Sequence, residues 1–288
     1  MRNLNYQLKQ ILFRNRDGSH ATQRNRERIL SLVSDQLYKL GFRKMTAHSL
    51  KPKHVQSLVD SWKSQDLSAG TIKNRMSALC WWAQKVGKSS VIPRDNSMLG
   101  ISERVFSNNE SKGRELPENK LIKIKDEHVR MSLELQREFG LRREEAIKFI
   151  PSYADKGDFI LLKPSWTKGG KQREVPILSE SQREVLDKAH RLVGKGSLIP
   201  SNRNYIKQLK VYERHTASAE LSKMHGLRHR YAQERYLTLT GFEPPSNGGI
   251  NNRELTKEQK ELDRNARLII SKELGHHREQ VTTIYLGR

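Results

Sequence analysis

Apolar residues in this chain recur three and four positions apart for most of its length, and that period constrains the fold more than any single motif does. Ile29, Val33, Leu37 and Leu40 line one helical face, with Gly41 as the expected C-cap. Ser49 is expected to cap the next helix, which has Pro52 near its start and Val55, Leu58, Val59 and Trp62 as its stripe. A third helix is expected after Ser68, with Ile72, Met76, Leu79, Ala83 and Val86 on one face and Gly87 as its stop. Val129, Leu133 and Leu135 precede Gly140, and Ala146, Ile147 and Ile150 follow it in a further helix. The period changes at "DFILLKPSWTKGGKQREVPIL", where two short β-prone runs flank Lys-Gly-Gly-Lys and predict a hairpin. Helical patterning returns over residues 180–236, Thr240 to Asn252 reads as a loop, and a helix rich in Glu and Lys is expected beyond it. The fold class expected is therefore mainly α with a small β-hairpin.

At 288 residues the chain is long enough for two domains with real cores. The polar, Gly/Pro-marked "ISERVFSNNESKGRELP" suggests a linker. The expected division is a helical domain over 1–105, a linker over 106–117 and a second domain over 118–288.

Charge then narrows the partner. There are 54 Lys and Arg against 32 Asp and Glu, a net of +22 that self-repels unless a polyanion neutralises it. Residues 1–113 carry 20 basic and 8 acidic side chains, a net of +12, which leaves +10 for the remainder. Both halves are basic, so both are expected to meet nucleic acid. Lys73, Arg75 and Lys85 fall off the apolar stripe of their helix and are candidate DNA contacts, against the plainer reading of a solvated face. Lys171 and Arg173, beside the hairpin turn, are further candidates. No stretch approaches the roughly 18 apolar residues of a spanning helix, and "MRNLNYQLKQILF" has too short an apolar run for a signal peptide. The single cysteine, Cys80, excludes an internal disulfide and a multi-cysteine zinc module. A soluble, cytoplasmic protein of a reducing compartment is expected, with no membrane partner.

Candidate chemistry lies in "GLRREE" with Arg142, "TKGGKQR" with Lys168, "HGLRHR" with His225 and Arg228, and "LGHHREQVTTIY" with His276 and Tyr285. Taken singly, each residue has a plain structural explanation. Together they are what phosphoryl transfer without a metal requires. Attack on a phosphodiester concentrates charge on the non-bridging oxygens, and two arginine forks can clamp both. A tyrosine hydroxyl, with a pKa of about 10, needs a neighbour to take its proton or a positive field to stabilise the phenolate, and histidines can serve there. A lysine on a hairpin tip can protonate the departing sugar oxygen.

These residues carry a resemblance. "GLRREE" resembles the first arginine box of the tyrosine recombinase (phage integrase) family, with Glu145 three residues after Arg142. "HGLRHR" is similar to that family's His-x-x-Arg box, "LGHHREQVTTIY" to its Leu-Gly-His box with Tyr285 nine residues after His276, and "TKGGKQREVP" to its lysine hairpin. The match spans residues 114–288, with the amino-terminal helices resembling the core-binding domain more loosely. The resemblance implies two domains closing as a C-shaped clamp on double-stranded DNA. Arg142 and Arg228 would hold the scissile phosphate, and Lys168 would act as general acid. His225 would assist proton transfer, His276 would bond a phosphate oxygen, Glu145 would orient the site, and Tyr285 would form a 3′-phosphotyrosyl link. Neither metal nor cofactor is implied. The expected assembly is a homotetramer on two duplexes at attachment sites, with the bacterial nucleoid as its place of work. DNA-bending or directionality proteins are left open. Arg228 and His276 stand 48 positions apart, longer than in compact members, and the surplus coincides with the 240–252 loop, read as a tolerated surface insertion.

Three rivals stand beside this reading. His225 and His229 are four apart and His276 and His277 adjacent, but a zinc hydrolase helix needs Glu beside its first His, where Gly226 stands. A non-catalytic architectural DNA-binding protein would keep the boxes without cutting. A type IB topoisomerase would run the same chemistry without a partner duplex. The greater Arg228–His276 spacing favours a mobile-element integrase.

Overall fold

The computed structural model describes residues 3–105, 109–276 and 278–288. They form two compact units, divided at Val105 and Phe106.

The first unit is helical: α1 (Asn3–Arg14), α2 (His20–Lys39), α3 (Pro52–Ser64) and α4 (Ala69–Lys85). Ser19 accepts from the Thr22 amide to start α2, and Ser68 does the same from Thr71 for α4. The expected stripes are the core: Ile29, Val33, Leu37, Val55, Leu58, Val59, Ile72, Met76, Leu79 and Ala83 are all buried. Leu40 instead lies exposed beyond the end of α2. Two fully buried indoles tie the bundle together, because burying an indole N–H requires an acceptor. Trp62 Nε1 donates to Gln36 Oε1 at 2.9 Å, and Trp82 Nε1 to the Ala47 carbonyl at 2.9 Å. Ser49 does not cap α3. Its hydroxyl closes a local turn with Thr46, and His54 Nδ1 accepts the Lys51 amide instead, at 3.1 Å.

The second unit contains α5 (Glu118–Leu121), α6 (Glu127–Phe139), α7 (Arg143–Ile147), α8 (Pro151–Ala154), the strands β1 (Phe159–Leu162) and β2 (Arg173–Pro176), then α9 (Glu180–Val193), α10 (Tyr205–Ser218), α11 (Gly226–Thr240), α12 (Lys257–Glu273) and α13 (Thr283–Leu286). β1 and β2 pair antiparallel, Ile160 opposite Val175 and Leu162 opposite Arg173, forming a two-stranded sheet. The two-residue side-chain period turns Val175 and Arg173 inward together and leaves Glu174 outside. A core of Leu135, Phe139, Ile160, Val175, Leu186, Tyr236 and Ile270 joins the hairpin to α6, α9, α11 and α12. A smaller cluster on the other side of α6 includes Leu116, Val129, Leu133 and Tyr212.

The stretch expected as a linker differs from a free connection. Phe106, Ser107 and Asn108 lie outside the described residues. From Asn109 onward the chain packs on the second unit: Leu116 is buried, and the Arg114 amide donates to the Gly226 carbonyl at 3.1 Å.

Candidate active site

Tyr285 lies in the short helix α13 and is 5% exposed. Its hydroxyl accepts from Arg228 Nε at 3.2 Å and lies 3.3 Å from His276 Nε2. Arg228, on the first turn of α11, is fully buried. Its Nη1 donates to the Gly140 carbonyl at 2.6 Å and its Nη2 to the Leu274 carbonyl. Gly140 is the C-cap of α6 and Leu274 that of α12. Helix C-termini present carbonyls with no intrahelical partner at the negative end of the dipole, so two helix ends make a seat for a buried cation. Gly140 takes φ +57° to close α6, and a Cβ there would meet the Tyr231 ring at 2.6 Å.

Arg142 reaches the same place from the other side: its Nη2 also donates to the Leu274 carbonyl, at 3.3 Å. The Arg-x-x-Glu spacing explains how it is held. Arg142 is the N-cap of α7, and Glu145 reaches back three residues to accept its backbone amide at 2.7 Å and its Nη1 at 2.9 Å. Arg173 Nη1 and Nη2 close on the two Glu145 oxygens, each at 2.7 Å. Burial alone would raise the Glu145 pKa. The charge and hydrogen bonds of Arg173, with the charges of Arg228 and Arg142, outweigh it and hold the carboxyl at about 2.

Arg173 therefore corrects a sequence expectation. It was a candidate DNA contact, but it is 7% exposed and commits both terminal nitrogens to Glu145, because strand alternation turns it inward. Arg228 remains cationic at neutral pH even though burial, then the charges of Arg173 and Arg142, bring its pKa to about 10.

The histidines are held neutral. Burial lowers the pKa of His276 to about 4, helped by Arg228, Arg142, Arg173 and Lys168. His225 stands at the N-terminal end of α11 with its side chain open to solvent on one side. Desolvation of the rest of the ring and the charges of Arg228 and Arg142 lower its pKa as well. His229 was weighed only as a metal partner, yet its ring lies 4.7 Å from that of Tyr285, against 6.4 Å for His225 and 6.0 Å for His276. It is buried, its Nδ1 has no hydrogen-bond partner among the described residues, and burial lowers its pKa to about 4. Its position one helical turn after His225, on the same face, was the available signal. His277 lies outside the described residues.

Lys168 is exposed on the loop between β1 and β2, where it lines, with Arg142, Lys171, Lys272 and Gly275, a hollow of about 460 Å³ that Glu174 and Glu273 also border. Lys73, Arg75 and Lys85 lie in the first unit, on α4. Arg75 stacks 5.3 Å over the Trp62 ring, and Lys85 lies 3.6 Å from Asp17 and 5.8 Å from the Trp81 ring, so both also serve packing.

The family model described as "Phage integrase, N-terminal" matches residues 1–92, and the one described as "Integrase" matches residues 104–234. The chain belongs to the tyrosine recombinase (phage integrase) family. The enzymes of this family are DNA strand transferases. No curated protein sequence matches the chain. Among solved structures, the Tn1549 transposon integrase in complex with circular intermediate DNA is similar at 16% identity and TM-score 0.58, covering 100% of this chain and 96% of that one. The XerH site-specific recombinase, bound to its difH substrate in a pre-cleavage complex, is similar at 17% identity and TM-score 0.56, covering 98% and 80%. A lambda integrase tetramer bound to a Holliday junction is similar at 14% identity and TM-score 0.58, covering 97% and 76%. At such identities the likeness to these tyrosine recombinases is one of fold. Among the described residues, no helix is long and apolar enough to cross a membrane.

Proposed function

We propose that this tyrosine recombinase is a site-specific integrase that cuts and rejoins double-stranded DNA through a 3′-phosphotyrosine on Tyr285, for the integration and excision of a mobile element. The observation that carries the reading is the Tyr285 hydroxyl held between Arg228 Nε at 3.2 Å and His276 Nε2 at 3.3 Å, with Arg142 converging on the carbonyl that Arg228 also binds.

In the proposed reaction the Tyr285 oxygen attacks phosphorus and its proton passes to a neutral imidazole, His225 or His276. Arg142 and Arg228 meet the charge that builds on the non-bridging oxygens. The bond to the 5′ oxygen breaks, and that oxygen takes a proton from Lys168. Energy of the broken diester is kept in the phosphotyrosine, so a 5′ hydroxyl can reverse the attack without ATP. Glu145 and Arg173 position Arg142 and do not react.

The lambda integrase tetramer on a Holliday junction supports a tetramer on two duplexes as the working assembly, and the Tn1549 and lambda integrases support a mobile-element role. Lys73, Arg75, Lys85 and Lys171 are proposed phosphate contacts, and action on chromosomal DNA places the protein at the bacterial nucleoid. The test is incubation with nicked attachment-site DNA. A denaturant-resistant adduct that disappears in Tyr285→Phe supports the reading, and an adduct that persists in that variant contradicts it.

A further inference from the structure

We propose that Asn109, Gln233 and Ser246 form a latch that holds the Tyr285 segment in the active site, and that the 240–252 loop exists in part to build it. The inference rests on Tyr285 being the nucleophile.

The backbone of the last residues is tied at three places. The Tyr285 carbonyl accepts from Gln233 Nε2 at 3.0 Å and from Ser246 Oγ at 3.1 Å. The Gly287 carbonyl accepts from Arg267 Nη1 at 3.1 Å. The Arg288 amide donates to Asn109 Oδ1 at 2.8 Å, while Asn109 Nδ2 donates to the Arg288 carbonyl at 2.8 Å and to Asn251 Oδ1 at 3.2 Å. The latch residues also hold one another, Gln233 Nε2 on Ser246 Oγ at 3.2 Å and Ser111 Oγ on Gln233 Oε1 at 3.1 Å.

Two features separate this from incidental packing. Pro244, Pro245 and Ser246 are buried, so the middle of a loop expected to be a surface insertion is an inner wall against α13. The close approach is also built in at Gly287, whose φ is +71° and where a Cβ would stand 2.6 Å from Asn109 Oδ1 and 2.8 Å from the Ser246 amide. Hydrogen bonds on the carbonyl of the nucleophile residue itself fix the direction in which its side chain leaves the backbone. The latch thereby positions the Tyr285 hydroxyl beside Arg228 and His276.

The test compares wild type with Asn109→Ala/Ser246→Ala on nicked DNA at saturating concentration. Misplacement of a reacting atom is costly, so the adduct should form about tenfold more slowly or worse with DNA affinity retained, and Ser246→Thr alone should keep the wild-type rate. An unchanged rate overturns the latch. So does a fall that follows loss of folded protein, with Ser246→Thr equally impaired. Hydrogen exchange over residues 283–288 reads the latch without any reaction: it should quicken in the double variant and stay slow over α11. Unchanged exchange overturns the latch even in a protein that recombines DNA. Faster exchange beside a wild type that forms no adduct instead contradicts the recombinase reading.

Discussion

Arg142 and Arg228 share one acceptor, the carbonyl of Leu274 at the end of α12. They are far apart in the sequence, and what unites them is a helix C-terminus whose unpaired carbonyl attracts both cations. Leu274 itself opens the Leu-Gly-His stretch, so the backbone that seats the arginines continues directly into His276 and then to Tyr285.

The first prediction concerns that pair. Arg142 is 18% exposed at its side chain, so Arg142→Ala should fold and bind DNA, while the rate of adduct formation falls about 100-fold or more, the scale of losing a donor to a developing oxyanion. Equal losses in affinity and rate would reduce it to an ordinary phosphate contact. Arg228→Ala strips the Gly140 and Leu274 carbonyls of a buried donor, so it should also lower stability, by roughly 3 kcal/mol, measured by denaturant unfolding.

Glu145 carries the second. Glu145→Gln leaves Arg173 buried with no anion to pair, and should destabilise the second unit by about 3–5 kcal/mol. The same carboxylate sets an acid limit. Its folded pKa, about 2, lies below the ordinary carboxyl value of 4.5, so its contribution is fully present above that value and is lost as pH falls toward 2. Unfolding free energies measured between pH 5 and 2 should therefore drop less steeply in Glu145→Gln than in wild type.

Third, His276 and His229, with folded pKa values of about 4, should show neutral imidazole signals by NMR at pH 6. Because the unfolded chain takes up protons near 6.5, these two groups cost stability progressively as pH falls from 6.5 to about 4. A bound phosphodiester brings negative charge to the positive cluster that depresses His276, so DNA binding should raise its pKa and take up protons near pH 5. Calorimetry in buffers of different ionisation enthalpy measures that uptake, and its absence would place the phosphate elsewhere.

Much of this was legible in the sequence because it is local. The period of three and four gave α2, α3 and α4 with their buried faces, and the change of period at Phe159–Leu162 and Arg173–Pro176 gave the hairpin. The Arg142–Glu145 and His276–Tyr285 spacings are local too, each spanning a turn or two. What the sequence hid depends on partners distant in the chain. Arg173 looked like one more cation beside a Gly-Gly turn, and only the register with Leu162 shows it turned onto Glu145. Ser49 is a good capping residue, but Thr46 engages it first. The 240–252 loop has a surface composition, and nothing local says that Ser246 meets the Tyr285 carbonyl.

Fourth, binding should weaken steeply with salt, since a protein of net charge +22 displaces counterions from DNA. Neutralising Lys171 should lower the slope of log affinity against log salt by about 1 while leaving the cleaved position unchanged. Arg173→Ala, by contrast, should act through stability, because its fork is committed to Glu145.

The account turns on one oxygen atom, and the most direct measurement is mass spectrometry of the protease-digested adduct formed on nicked attachment-site DNA. The expected result is a nucleotide on the peptide containing Tyr285, joined through a 3′ phosphate, and no adduct from Tyr285→Phe despite undiminished DNA binding. A nucleotide attached to any other residue, or strand cleavage at the wild-type rate by Tyr285→Phe, would contradict it.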